Sequence, residues 1–325
     1  MRSLERSSTF IGRLRRATRR LLVLLLATWL TTTQAGVQPQ EVAPGVWFVQ
    51  GESALGSGAN RNFISNAGFV VTPAGVVVID ALGAPVLAEE LIDAIRRVTL
   101  QPIRYVIVTH YHADHVYGLQ AFQAVGARIL AHPAARLYLN AELAQQRLRA
   151  SREELAPWID EKTRLVEADQ WLQGEQTELD LGGQRLFIRH AGPAHTPEDL
   201  VVYHPASGSL FTGDLVFRAR IPFVGQADSR AWIRALDGLL AWAPRRLLPG
   251  HGPVAEQPLQ DLQLTRDYLQ YLRDTMGIAA RELEPFETAY ARTDWSRFAK
   301  LPLFGVANRI NAYNTYLLME REATP

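Results

Sequence analysis

The sequence predicts a four-layer α/β body, with two sheets packed face to face and helices on both outer sides. Three observations carry that prediction. β-Branched runs broken by Gly and Pro recur in two separate blocks, at 45–80 and 186–212. Each block is followed by segments whose apolar residues repeat at helical spacing. Histidines and aspartates stand where the apolar runs end. With 325 residues, 47% of them apolar and 21% charged, the chain is long enough to bury a large core.

Residues 45–49 (GVWFV), 62–71 and 76–80 read as strands, the last two joined by the turn Thr72-Pro73-Ala74-Gly75. Leu87, Leu91, Ile92 and Ile95 make 86–97 a helix covering that sheet. Residues 104–108 form a buried strand that delivers Thr109 and His110 onto a loop, and 116–125 reads as a helix before a strand at 128–131. From 133 to 173 the chain is mostly helical and charged, with a break at Pro157. This segment is expected to be an insertion that walls the mouth of the site and can be removed without loss of metal. Strands return at 186–188, 200–203 and 209–212, followed by a helix at 231–241 and a strand at 246–249. Beyond 259 the chain is largely helical, apart from the stretches around Pro285 and Pro302. The expected organisation is a leader at 1–35, an α/β domain at 36–258 with its insertion, and a helical extension at 259–325 on the same domain.

The leader holds seven Arg against Glu5, then about ten apolar residues from Leu21 to Leu30, then the small-residue boundary Ala35-Gly36. That is the three-part pattern of a secretory signal. The apolar run is half the roughly 20 residues a membrane span needs. Export to the periplasm or medium is expected, with no stable membrane span once the signal is removed. Taking the leader's local +6 from the net +1 leaves −5 on the body, which argues against a nucleic-acid partner. The absence of cysteine excludes disulfides, thiolate ligands, a cysteine nucleophile and iron–sulfur clusters. Lys162 and Lys300 are the only lysines, and neither has the glycine context of a phosphate-binding loop, which excludes Walker-type chemistry.

Five of the eight histidines lie in three short segments. In Thr109-His110-Tyr111-His112-Ala113-Asp114-His115, alternate residues of an extended loop point the same way, so His110 and His112 grip one metal while Asp114 and His115 turn towards a second. Gly192-Pro193-Ala194-His195-Thr196-Pro197, Phe211-Thr212-Gly213-Asp214 and Leu248-Pro249-Gly250-His251-Gly252 each place one further ligand beside glycines that permit close backbone approach. Seven nitrogen and oxygen ligands without sulfur suit two zinc ions with one bridging Asp. Asp80, at the end of a buried strand, is a candidate to orient a ligand histidine, and Thr109 and Thr196 are candidates for similar work. His190 is expected near the site but not as a ligand, His132 and His204 as structural residues, and Trp158 and Trp171 as packing.

The ordered set HxHxDH, GPxHT, FTGD and PGHG resembles the metallo-β-lactamase superfamily in its glyoxalase II-like branch, over roughly residues 42–258. The resemblance implies the αββα sandwich and two Zn2+ per chain. It gives one metal to His110, His112 and His195 and the other to Asp114, His115 and His251, with Asp214 bridging both. It also implies a hydrolase of thioesters, esters, lactones or phosphoesters of a small-molecule substrate. The leader, the insertion and the tail at 308–317 resemble a narrower group, the exported zinc metallohydrolases associated with sulfur oxidation and quinoprotein dehydrogenase systems. Water held by two cations about 3.5–4 Å apart becomes a hydroxide nucleophile near neutral pH. Asp114 is the expected catalytic residue, binding metal and orienting that hydroxide. Competing readings are a mononuclear iron oxygenase of the persulfide dioxygenase type, a cysteine-free β-lactamase, a non-catalytic zinc-binding module serving a redox system, and a nuclease. The complete second set (His115, Asp214 and His251) favours zinc over iron. Asp214 weighs against the β-lactamase and the acidic body against the nuclease.

Overall fold

The computed structural model describes residues 36–225, 227–255 and 257–323, so the signal sequence expected at 1–35 lies outside the described residues. Seven strands form the first sheet in chain order: β1 (Gln40–Ala43), β2 (Val46–Val49), β3 (Ala67–Thr72), β4 (Gly75–Ile79), β5 (Ile103–Ile107), β6 (Arg128–Ala131) and β7 (Gln170–Trp171). Pairing is antiparallel up to β4 and parallel beyond it. The change follows from the connections. A tight turn, in which the Thr72 hydroxyl donates to Gly75 O at 2.6 Å, reverses the chain into β4. Helix α1 (Pro85–Val98) then carries it over to a parallel β5. The second sheet runs β12-β11-β10-β9-β8, from β8 (Gln176–Leu181), β9 (Gln184–His190), β10 (Leu200–His204), β11 (Ser209–Phe217) and β12 (Arg246–His251). Its one parallel pair is β11 with β12.

The period-two alternation of each strand builds the layers. Val76 and Val78 face outward onto Leu87, Leu91 and Ile95 of α1. Val77 and Ile79 face inward, where they join Ile107 and Leu130 against Leu186, Val202, Phe211 and Leu248 of the second sheet. Val201 and Leu210 point away from that interface, into a cluster with Trp232 and Leu236 of α6 (Ser229–Leu240) and Leu262 and Leu269 of α7 (Pro258–Arg281). The remaining C-terminal helices, α8 (Phe286–Arg292) and α9 (Phe304–Ala323), add Phe286, Ala289, Ala312 and Tyr316 to the same cluster. Asn311 ties α9 down, accepting from Val224 N at 2.9 Å and donating to Pro222 O at 2.7 Å and to the Tyr268 hydroxyl at 3.0 Å.

Four expectations need correction. The strand expected over 62–71 begins only at Ala67, because Arg61 and Asn62 take left-handed backbone (φ 58 each) and fold 59–64 into a turn. The helix expected at 116–125 starts earlier and is split into α2 (Ala113–Val116) and α3 (Leu119–Ala124). Gly118 stands at the break, and a Cβ there would lie 2.0 Å from Ala81 O. Asp114 and His115 therefore sit on a helical turn rather than an extended loop. Asp214 lies inside β11, which runs five residues past the expected end at Thr212, and His251 is the last residue of β12.

The fourth correction concerns 133–173, which is helical only as far as Glu154: a 3-10 turn at Pro133–Ala135, α4 (Arg136–Leu139) and α5 (Glu142–Glu154). It ends in β7 of the first sheet, and Leu148, Leu155, Ile159 and Val166 are buried in the same core as α1. Deleting 133–173 is thus expected to abolish cooperative unfolding and metal binding together, rather than only to alter substrate preference. A deletion variant that kept a sharp thermal transition and its metal would contradict this.

Candidate metal centre

All seven expected ligands converge at one edge of the sandwich. His110 and His112 follow β5, Asp114 and His115 stand on α2, His195 follows β9, Asp214 lies within β11 and His251 ends β12. His110, His112, His195 and Asp214 make one group able to hold an ion, and Asp114, His115 and His251 the other. In the first, His112 Nδ1 lies 3.1 Å from His110 Nε2 and 3.0 Å from His195 Nε2, with Asp214 Oδ2 3.8 and 3.5 Å from the latter two nitrogens. In the second, Asp114 Oδ2 is 3.3 Å from His251 Nε2 and 3.7 Å from His115 Nε2. Asp214 faces both groups, with Oδ1 3.3 Å from His115 Nε2 and Oδ2 3.3 Å from His251 Nε2.

The donor set fits metal ions. Tetrahedral ligands about 2.0–2.1 Å from a zinc ion lie about 3.3–3.4 Å from one another, in the middle of the observed separations. His115 Nε2 and Asp214 Oδ1 are buried 3.3 Å apart without a well-formed hydrogen bond to each other or to another described residue. Such orphaned atoms are costly unless a cation satisfies them.

One carboxylate orients histidines of both groups. Asp80 Oδ2 accepts from His115 Nδ1 at 2.9 Å and from the Thr109 hydroxyl at 2.8 Å, while Oδ1 accepts from Thr109 N at 2.8 Å. The Thr109 oxygen in turn lies 3.1 Å from His110 Nδ1. Both rings thereby carry the proton on Nδ1 and turn the Nε2 lone pair inward. Asp80 reaches this position through left-handed backbone (φ 61) directly after β4. Asp80→Asn places an amide against His115 Nδ1, and the second group should bind metal about 10–100-fold more weakly. Competition with a chromophoric chelator measures this, and unchanged affinity would remove Asp80 from the role.

The other supports come from the segment misread as strand. Ile64 O accepts from His251 Nδ1 at 2.7 Å, and the Ser65 hydroxyl donates to Asp114 O. Asn66 Nδ2 donates to Pro249 O and Gly252 O, both at 2.8 Å, bracketing His251. The one trace of this in the sequence is a pair of asparagines flanking an apolar run. The His195 loop is held by Asp199, whose carboxylate accepts from Thr196 N at 2.8 Å and from its hydroxyl at 2.7 Å. Burial pushes the Asp199 carboxyl well above its ordinary range.

Arg220 was not legible as part of the site. Its side chain is 1% exposed and sits over the rings of Phe217 and Phe223 at 5.6 and 5.1 Å. Nη1 is 3.1 Å from His251 Nδ1, and Nε and Nη2 have no partner among the described residues. Because the Nδ1 proton is given to Ile64 O, Arg220 contributes a buried positive charge behind His251 rather than a hydrogen bond.

Burial, reinforced by His115, holds His110 well below its ordinary value of 6.5. Burial also lowers His112, and with His112 it brings His195 down to about 3. These nitrogens are neutral and ready for a cation. For His115 and His251, burial acts in the same direction but is outweighed by Asp214 and Asp114, with Asp80 also acting on His115, so both are raised. Below those raised values the two rings are protonated, and a metal must displace the protons. Metal affinity of the second group should therefore fall as pH is lowered, more steeply than that of the first, and level off above the raised values. Metal titrations across pH, each group read separately, check the sign.

His190 donates its Nε2 proton to Pro197 O at 2.9 Å and stacks on His132 at 3.6 Å, near the centre but outside it. His204 is buried at the end of β10, contacting Ser207 at 2.9 Å and Gln184 at 3.1 Å, a structural position. Trp158 donates to Gly58 O at 2.7 Å. A cavity of about 530 Å³ opens beside His112 and Asp114, with Tyr138, Leu143, Arg147 and Leu155 of the 133–173 segment in its wall.

A model of the metallo-beta-lactamase superfamily matches residues 60–251. A metallo-beta-lactamase type 2 from Bacillus sp. (strain 170) is 30% identical over 206 residues, covering 62% of this chain and 72% of that protein. A linear primary-alkylsulfatase from Pseudomonas sp. (strain ATCC 19151) is 21% identical over 239 residues; the match covers 63% of this chain but only 45% of the sulfatase. Among solved structures, the inverting sec-alkylsulfatase Pisa1 from Pseudomonas sp. aligns with a TM-score of 0.68 at 17% identity, over 87% of this chain and 50% of that one. At that identity the likeness concerns the fold.

Proposed function

Because the chain belongs to the metallo-beta-lactamase superfamily, we propose that it is an exported dinuclear zinc hydrolase cleaving an ester, thioester or related acyl bond of a small molecule. The observation that supports this most is the convergence of seven nitrogen and oxygen ligands in two groups with Asp214 facing both. His110, His112 and His195 would hold one ion and Asp114, His115 and His251 the other, with Asp214 placed to serve both. When bound, two zinc ions supply polarisation of the scissile group and a water whose pKa is drawn towards neutrality. Asp114 positions the water. Its side chain is 17% exposed against 5% for Asp214, and it borders the cavity, so it can orient the attacking water. Asp80 and Thr109 keep the ligand rings in the required tautomer.

Asp214 at the bridging position supports the glyoxalase II-like reading, and the likeness to a Bacillus β-lactamase supports a cysteine-free β-lactamase as the second reading. The alkylsulfatase likeness adds sulfate esters to the substrates to be tried. Metal analysis, together with thioester, ester, lactone, phosphodiester, sulfate-ester and β-lactam probes, separates the readings. Two zinc ions with acyl-ester turnover support the proposal; a single iron with oxygen consumption, or two zinc ions with turnover of β-lactams alone, would replace it. Metal without any turnover would indicate an accessory module. Export rests on the leader pattern at 1–35; intact mass of the secreted protein should start near Gly36. No helix among the described residues is long and apolar enough to cross a membrane.

A further inference from the structure

A second cavity, of about 730 Å³, is lined by residues of β1 and β12, an edge strand from each sheet. None of the seven candidate ligands borders it. Arg246 opens β12 and His251 closes it, which puts the two roughly 16 Å apart along the strand. Part of the wall is apolar, from Val42, Phe48, Pro253 and Val254, and the rest is basic. Arg218, Arg245 and Arg246 stand there against one carboxylate, Glu41. Arg218 is already committed, its Nε donating to Asp261 at 2.9 Å and its Nη1 to Val254 O at 2.6 Å. Glu41 accepts from Gly45 N at 3.0 Å. Arg245 and Arg246 have no carboxylate partner among the described residues, and the one N–H used is that of Arg246 Nη1 to Ser207 O at 3.3 Å. Their backbone is nonetheless held, since both N–H groups donate to Gly208 O, at 2.9 and 3.2 Å. The Arg245 stem lies flat on Gly208, where a Cβ would come within 2.8 Å of its Cγ. The side-chain amides of Gln40 and Gln50 border the same space and have no partner among the described residues.

Unpaired guanidinium groups are ordinary on an open surface. Two with held stems, beside uncommitted amides in a recess large enough for a small molecule, make an anion site. We propose that this cavity binds a small organic molecule with a dianionic phosphoryl head, a phosphate monoester or phosphonate. The head lies on Arg245 and Arg246, and the organic group lies against Val42, Phe48 and Val254. One carboxylate fills one guanidinium fork through two parallel hydrogen bonds. Two uncommitted forks call for more acceptor oxygens and a second charge, and a phosphoryl dianion has both. The site is separate from the metal centre and does not depend on the hydrolase reading.

Phenylphosphonate, whose carbon–phosphorus bond ester hydrolysis leaves intact, is the probe. It is titrated calorimetrically into the metal-loaded protein at mildly alkaline pH, where it carries both charges. Two places are open to it, the metal centre and this cavity, and variants separate them. Arg245→Gln and Arg246→Gln should each weaken one binding event about tenfold or more, with metal content and melting temperature as in the parent. Arg96→Gln, which removes an exposed positive charge on α1, should leave that event unchanged. Benzoate should bind the parent about tenfold or more weakly than phenylphosphonate does. No binding, or binding that both arginine variants leave at parental affinity, overturns the site and assigns any bound phosphonate to the metals. An equal loss in Arg96→Gln reduces the effect to diffuse charge and also overturns it. Equal affinity for benzoate overturns the phosphoryl assignment.

Discussion

Replacing Asp214 by Ala is expected to leave one metal per chain and to slow turnover by at least about a thousandfold near neutral pH, well beyond the 10–100-fold typical of residues that only support a ligand. Asp214 is the carboxylate whose two oxygens face His115 and His251 while also approaching His110 and His195. Its removal takes an anion from both groups and leaves two cations unscreened. Each group would keep three ligands, and the second should lose its ion first because the buried charge of Arg220 stands behind His251. His115→Ala should be milder, because Asp114, Asp214 and His251 still surround that position. Metal per chain and the pH–rate profile of both variants decide the matter. Two ions and near-parent turnover in Asp214→Ala would end the bridged dinuclear reading.

Gly250→Ala should damage the centre almost as severely while leaving every ligand in the sequence. A Cβ at Gly250 would lie 2.1 Å from Asp214 Oδ1, 2.7 Å from Gly213 C and 2.9 Å from Asp214 N. Two of those atoms are backbone of the neighbouring strand, so β11 and β12 must separate where they carry Asp214 and His251. Overpacking of this kind costs about 1–3 kcal/mol, and metal affinity should fall about a hundredfold or more as the bridge moves. Gly238→Ala is the matched control. Its Cβ would meet nothing within 4 Å, and it lies within α6, where Ala is about 0.8–1 kcal/mol more favourable than Gly. A lower melting temperature with lost metal at 250, beside a slightly raised one at 238, is the expected pair. Parent-like metal content and melting temperature in Gly250→Ala would show that the close approach is not required.

Both predictions rest on contacts between residues far apart in the chain, and there the sequence and the structure part company. β2, β4, β5, β6, α1 and α6 were readable because their signals, period-two runs and apolar residues at helical spacing, are local. The seven candidate ligands were readable for a related reason: His and Asp beside apolar runs and glycines stand out within a few residues of each motif. Only the tertiary structure decided that Asp80 serves both groups, that residues 64–66 hold His251 and Asp114, that Arg220 lies behind His251, and that Gln170 and Trp171 close the first sheet as β7. Residues 64–66 show no period because their buried polar groups pair with atoms about 50 and 185 residues away. The run at 176–181 carries a local signal as well, polar and apolar residues alternating along β8. What the sequence determined by itself is the chemistry of the donors and the elements that carry them, since both are properties of neighbouring residues. What the fold decided is which donors lie within reach of one another and what holds them still, because those depend on distances that exist only once the two sheets have packed.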